Sequence, residues 1–273
     1  MEPEEIEVKL LLEAIATRYG HDLRGYRQAS LKRRIHNALM KSGASNLGDL
    51  QHRVLHDPAF FVSVLDDLTV QVSDLFRDPE VYRAFRTEVV PLLRTYPQLR
   101  IWHAGCSSGE ELYTMAIILA EEGLAERTQI YATDLSAQAL SRAREGVYDL
   151  ERAPTFAENY RLAGGTQSFP RYFSTAYDRI AFAPALRNNM VFFQHDLGVD
   201  QSFGEMHVIF CRNVLIYFDR ELRARVLTKF AQSLCHGGFL VLGASEQLGN
   251  PEVRMGFSAS HAAERIYRYR GIS

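Results

Sequence analysis

The sequence predicts an α/β chain, a doubly wound parallel sheet preceded by an all-helical region and interrupted by a small antiparallel insert. From Leu99 onward, short apolar runs ending in small or polar residues alternate with amphipathic helical stretches, the pattern of strands joined through helices. Residues 1–72 carry only helical periodicity. Between 146 and 189 the alternation breaks down over a stretch holding Gly164-Gly165, Pro170 and Pro184, too long for a simple connection. The expected domains are therefore 1–72, helical, and 73–273, the sheet domain, with an insert at about 147–190.

Composition sets the frame. The 273 residues carry a net charge of -2, with 47% hydrophobic and 23% charged residues, as in a soluble globular protein. No run of ~18 apolar residues occurs, and the first residues are acidic, so neither a spanning helix nor a secretory signal is expected and the place is the cytoplasm. Cys106, Cys211 and Cys235 show no metal-ligand spacing, which predicts reduced thiols and no metal site.

In chain order, Ser30 is the expected cap of a helix whose apolar face is Leu31, Ile35, Ala38 and Leu39, with Gly43 ending it. Arg24, Arg27, Lys32, Arg33, Arg34 and Lys41 fall between Leu23 and Gly48 without an Asp or Glu. They are either a basic docking face or a solvated helix surface. A further helix is expected from about Pro58 to Asp67. The alternation from Val70 to Val72, the Ser73-Asp74 pair and Pro79 then mark a connector whose polar residues face a cleft; Arg77 is a cleft residue or a plain surface ion-pair partner.

The organising stretch is residues 100–120, RIWHAGCSSGEELYTMAIILA, read as strand, small-residue turn and helix. Gly105 and Gly109 let a ligand approach the backbone. Glu110 and Glu111 at the helix start would repel a pyrophosphate, so a cationic ligand fits better than a dinucleotide. Four more strands are expected at 129–134, 190–196, 206–213 and 238–244. Asp134, ending the second, is placed to bind a ribose diol. That alone suits NAD equally; the missing GxGxxG fingerprint and the acidic pair favour a ligand of the S-adenosylmethionine type.

The strings LTVQVSDLFRDP, AGCSSGEELY, ATDLSAQAL and IFCRNVLIYFD together resemble the CheR-type chemoreceptor glutamate O-methyltransferases, in order and over nearly the whole chain. The resemblance implies a Rossmann-like S-adenosylmethionine-dependent methyltransferase sheet with an N-terminal all-α domain and an inserted antiparallel β-subdomain. It implies methylation of receptor glutamates, with S-adenosylhomocysteine as product, for sensory adaptation. Ser73 and Arg77 would reach the methionine end of the cofactor, Glu110 or Glu111 its charged end, Asp134 the ribose, and Asp196 and Leu197 the adenine. Arg212, Asn213 and Tyr217 would line the place where donor meets acceptor, with Arg77 or Arg212 steering the acceptor carboxylate and Tyr217 orienting it. Gln71, Ser73, Leu75, Leu112 and Asp196 depart mildly from the family pattern.

The partner implied is the cytoplasmic coiled coil of a chemoreceptor. A receptor tail peptide at the β-subdomain and an unidentified regulator over the cleft are left open. A nonenzymatic S-adenosylmethionine-binding sensor or adaptor is the alternative, opposed by the retained IFCRNVLIYFD string. Near-neutral charge without an aromatic-rich basic groove argues against nucleic acid.

Overall fold

The computed structural model of the chain describes residues 2–71, 73–249 and 256–271; Val72, on which the expected domain boundary falls, lies outside them. The N-terminal helices are α1 (Pro3–Tyr19), α2 (Gln28–Ser42), α3 (Leu47–His56) and α4 (Pro58–Leu68). Their ends follow local chemistry. Gly20 and Gly43 close α1 and α2 in the left-handed conformation, Asn46 accepts from the Asp49 amide, and Asp57 accepts from the amides of Ala59 and Phe60. Ser30 is not the cap. The helix starts two residues earlier, and the Ser30 hydroxyl instead accepts from Arg34. Leu11, Ile15, Leu31, Ile35, Val54, Phe61 and Leu65 share a core that Leu135 of the sheet domain also enters, so the two domains are packed together.

The connector leads into α5 (Pro79–Ala84), a wider π turn at Phe85–Val89, and α6 (Val90–Leu93). The sheet domain follows as β1 (Leu99–Ala104), α7 (Glu110–Glu121), β2 (Thr128–Asp134) and α8 (Ala137–Glu145). The insert holds β3 (Val147–Asp149), α9 (Ala153–Leu162), β4 (Phe173–Ala176) and β5 (Arg179–Phe182), whose strands form a separate antiparallel sheet in the order β3-β5-β4. Helix α9 is not signalled by the β-like pieces around it; Phe156 and Tyr160, one turn apart, anchor it in the core. The chain continues as β6 (Met190–Gln194), β7 (Met206–Cys211), α10 (Arg220–Ser233), β8 (Leu234–Leu242), β9 (Phe257–His261) and β10 (Ile266–Tyr269).

The main sheet runs β6-β2-β1-β7-β8-β10-β9. The first five strands are parallel, whereas β10 is antiparallel to β8 and to β9. The wholly parallel expectation is therefore corrected at one edge, where a hairpin covers the side of β8 that would otherwise be open. Alternation along each strand feeds two cores. Ile101, Ile130, Val208 and Phe210 face α7, while Trp102, Ile209, Cys211 and Leu240 face α10. Strand order reverses between β1 and β7, and at such a switch point the carboxyl ends of the strands open a crevice.

The turn after β1 shapes that crevice. The Gly105 and Cys106 amides both donate to the Thr133 carbonyl at 2.8 Å. Gly105 has φ +80, and a Cβ there would lie 2.6 Å from Val214 Cγ2. Gly105→Ala combines a left-handed backbone with overpacking, so it is expected to cost about 2–4 kcal/mol of stability. Chemical denaturation checks this, and an unchanged midpoint would refute the close approach.

Candidate active site

A cleft of about 300 Å³ lies over the carboxyl ends of β1, β2, β6 and β7, roofed by the connector and by the helical domain. Ser73, Asp74 and Arg77 of the connector, Gly105 to Ser107, Glu111, Asp134, His195 to Leu197, Arg212 to Val214 and Tyr217 line it.

Asp134, 8% exposed, fastens two loops: its Oδ2 accepts the Ser107 amide at 2.8 Å and its Oδ1 the Ser136 amide at 2.9 Å. Burial raises its pKa against the opposing pull of those bonds. At the end of β6, Asp196 accepts the Gly198 amide at 2.7 Å and the Asp22 amide at 3.3 Å, and Leu197 adds a buried apolar wall.

The two acidic residues at the start of α7 point to different places. Glu110 does not line the cleft; it is 1% exposed, accepting from Arg152 Nη1 and Ser108 Oγ at 2.8 Å each. Glu111 is the one that faces the cleft. Its Oε1 lies 2.8 Å from His103 Nδ1, and its Oε2 accepts from Arg212 Nη1 and the Tyr82 hydroxyl at 3.2 Å. Arg212 also donates to Tyr82 at 2.7 Å and to Asp78 at 2.6 Å. Burial pushes the Glu111 pKa up, but the His103 bond and the Arg212 charge outweigh it and hold the carboxyl below its ordinary value.

The loop after β7 is shaped by a residue the sequence reading passed over. Glu246 is 2% exposed and accepts the amides of Asn213 (2.8 Å), Gly243 (2.7 Å) and Ile216 (3.2 Å). It thereby holds Asn213 at φ 61 on the cleft wall. Tyr217 follows on the same loop, with the Arg34 guanidinium 4.4 Å from its ring centroid. Tyr26, His103, Arg152 and Glu246 were not foreseen; the available signal was Ser245-Glu246 directly after a strand ending in small residues.

The basic set of the helical domain does not form one free face. Arg24 pairs with Glu13 and Asp22, Lys32 with Glu5, and Lys41 with Asp67, because α1 and α4 bring acidic residues alongside. Arg34 is 7% exposed, turned inward to donate to the Leu68 carbonyl, and lines the cleft. Arg27 and Arg33 remain exposed.

Comparison with known proteins agrees with this architecture. Residues 71–263 match the family described as CheR methyltransferase, SAM binding domain, and residues 6–69 match its all-alpha domain. The chain is 48% identical over 264 residues to the putative methyltransferase Cher3 of Pseudomonas putida, covering 97% of each. It is 33% identical to the chemotaxis protein methyltransferase of Listeria monocytogenes, covering 85% of this chain and 86% of that one. It is likewise 33% identical to chemotaxis protein methyltransferase 1 of Pseudomonas aeruginosa, covering 82% and 84%.

The Glu111 cluster makes a stability prediction. A carboxyl whose folded pKa is depressed stabilises the fold above its unfolded value, and that contribution is lost as pH falls through the folded one. Glu111→Gln should therefore cost about 2–4 kcal/mol at neutral pH, because Arg212 loses its buried counter-charge. The gap between parent and variant should narrow below the ordinary carboxylate value of 4.5. Denaturation across pH measures it; a gap independent of pH would show that Glu111 is not held ionised by its neighbours.

Proposed function

The chain belongs to the CheR methyltransferase family, whose members use S-adenosylmethionine, and from that membership we propose that it methylates glutamate side chains on the cytoplasmic coiled coil of a chemoreceptor. The products are glutamate methyl ester and S-adenosylhomocysteine. The observation that carries this reading is the convergence in one cleft of Glu111, Asp134, Arg212 and Tyr217 from four separate segments.

The donor set fits the cofactor. Each Asp134 oxygen takes one backbone N–H and keeps lone-pair capacity for a ribose hydroxyl. Glu111 offers negative charge for an ammonium or sulfonium, and Asp196 with Leu197 offers a polar edge and an apolar face for adenine. When bound, the cofactor supplies an electrophilic methyl group.

A glutamate acceptor, with a reference pKa of about 4.3, is already ionised and needs no general base. The chain's task is then alignment and exclusion of water, for which proximity supplies up to ~7–11 kcal/mol. Arg212 is engaged by Tyr82, Glu111 and Asp78, so it sets the field of the site without clamping the acceptor. A permanent clamp would stabilise the ground state and slow transfer. Tyr217 orients the acceptor through its hydroxyl, while Arg77 at the connector and Arg34 over the Tyr217 ring supply positive potential.

The exposed Arg27 and Arg33 are the part of the basic set best placed to meet an acidic receptor helix; the exposed pairs of Arg24, Lys32 and Lys41 are weak enough to exchange partners. The insert's edge strand β4, exposed at Ser174 to Ala176, is where an extended tail peptide would add. No helix among the described residues is long and apolar enough to cross a membrane, in keeping with a protein that works on the receptor's cytoplasmic part.

The reading is tested by incubating the protein with methyl-labelled S-adenosylmethionine and a receptor cytoplasmic fragment, RNA or DNA. Label in the fragment that base releases as methanol supports a carboxylate acceptor. Cofactor binding without transfer to any acceptor would make the chain a sensor instead. Two variants refine the test. Asp134→Asn should weaken cofactor binding about 10–100-fold while leaving the cofactor-free fold as stable or more so, since ionising this buried carboxyl opposes folding. Parent affinity should also fall as acid protonates Asp134, beginning above the usual aspartate range; calorimetry across pH would show no such slope in the Asn variant. Tyr217→Phe should keep cofactor affinity and lower turnover about tenfold or more, and equal turnover would remove Tyr217 from the mechanism.

A further inference from the structure

One wall of the cleft comes from none of the strand ends. Between α1 and α2 the chain is held against the sheet domain by its backbone. The Arg27 amide donates to the Tyr217 carbonyl at 2.8 Å and the Asp219 amide to the Gly25 carbonyl at 2.8 Å, so Tyr26 and Phe218 face each other across an antiparallel bridge. The fit is close: a Cβ on Gly25 would lie 3.0 Å from Leu222. Further back, the Asp22 amide reaches the Asp196 carboxylate. The Tyr26 ring stands edge-on to Phe218, with centroids 5.1 Å apart, and lines the cleft together with Asp134 and Asp196.

We propose that this segment of the helical domain completes the cofactor site, with Tyr26 as an aromatic wall for the adenosine moiety and its pairing to 217–219 tying cofactor occupancy to the position of Tyr217. The proposal rests on the cofactor reading above and deepens it. A domain serving only to dock a partner has no need to bond, through its backbone, both to the loop of Tyr217 and to Asp196. An aromatic ring is also the side chain that a nucleobase packs on without demanding a particular hydrogen-bond pattern. Burial and the nearby Asp196 and Asp134 carboxylates push the Tyr26 phenol above its usual range, so the wall stays neutral at physiological pH. Helix α2 begins at Gln28, directly after the bridge, so the same contact links the cofactor to the helix bearing Arg33 and Arg34.

The test is calorimetric binding of S-adenosylhomocysteine to the full chain, its Tyr26→Phe and Tyr26→Ala variants, with hydrogen exchange of the parent measured with and without that ligand. The ring-preserving Phe variant should bind within about twofold of the parent, and the Ala variant about tenfold more weakly or worse. The Arg27 and Asp219 amides should exchange more slowly when the ligand is present. Should Tyr26→Ala fail to fold, the exchange measurement on the parent decides. A parent that binds while Tyr26→Ala binds equally well, or while neither amide is slowed, overturns this proposal alone. A parent that binds no S-adenosylhomocysteine overturns the cofactor reading and the proposal with it.

Discussion

The burial of one guanidinium organises the molecule. The Arg212 side chain is 2% exposed, and an ion in that position is several kcal/mol too costly unless it is paired and hydrogen-bonded. Its partners come from different segments: Asp78 from the connector, Tyr82 from α5 and Glu111 from α7. Satisfying Arg212 therefore fixes the connector and α7 against the end of β7. The connector accepts strain to reach it, with Phe76 at φ 50 and Asp78 at φ 55. Residues other than glycine hold such angles only where the surroundings dictate them. Here the Phe76 ring is fully buried and its amide donates to Thr114 Oγ1 at 2.8 Å. Ser73 and Arg77 reach the cleft because this frame puts the connector there.

The same frame explains why the site suits methyl transfer to a carboxylate. Its charges are committed to one another before any ligand arrives, so little reorganises during reaction, the condition under which fixed electrostatics contribute most. His103, stacked on Phe210 with Nδ1 at Glu111, and Arg152, bridging Glu110 to the Ser73 carbonyl and Asp74, extend that commitment behind the cleft wall. Arg152 also makes the insert a structural neighbour of the cofactor side of the connector.

The alternation of strands and helices, the glycine turn and the carboxyl-end residues were legible because they depend on local pattern. Ser73, Arg77, Asp134, Asp196, Leu197, Arg212, Asn213 and Tyr217 all line one cleft, as the motifs implied. What escaped was set by distant contacts. Glu110 and Glu111 are neighbours in sequence, and only the placement of Arg152 against Glu110 and of His103 and Arg212 against Glu111 separates their roles. The basic run reads as one face until α1 and α4 bring Glu5, Glu13 and Asp67 alongside and Leu68 draws Arg34 inward. The edge hairpin of β9 and β10 was missed because its strands are short, although Ile266 to Tyr269 alternate.

The central claim is that the cleft aligns an acceptor that is already ionised and activates nothing by removing a proton. Its most direct test is the single-turnover rate of methyl transfer to a receptor cytoplasmic fragment as a function of pH. The account predicts a rate that is flat through neutral pH and falls only on the acid side, where glutamate takes up a proton. A rate that climbs through neutral pH with the titration of a side chain in the cleft would contradict it, since that is the signature of a required general base.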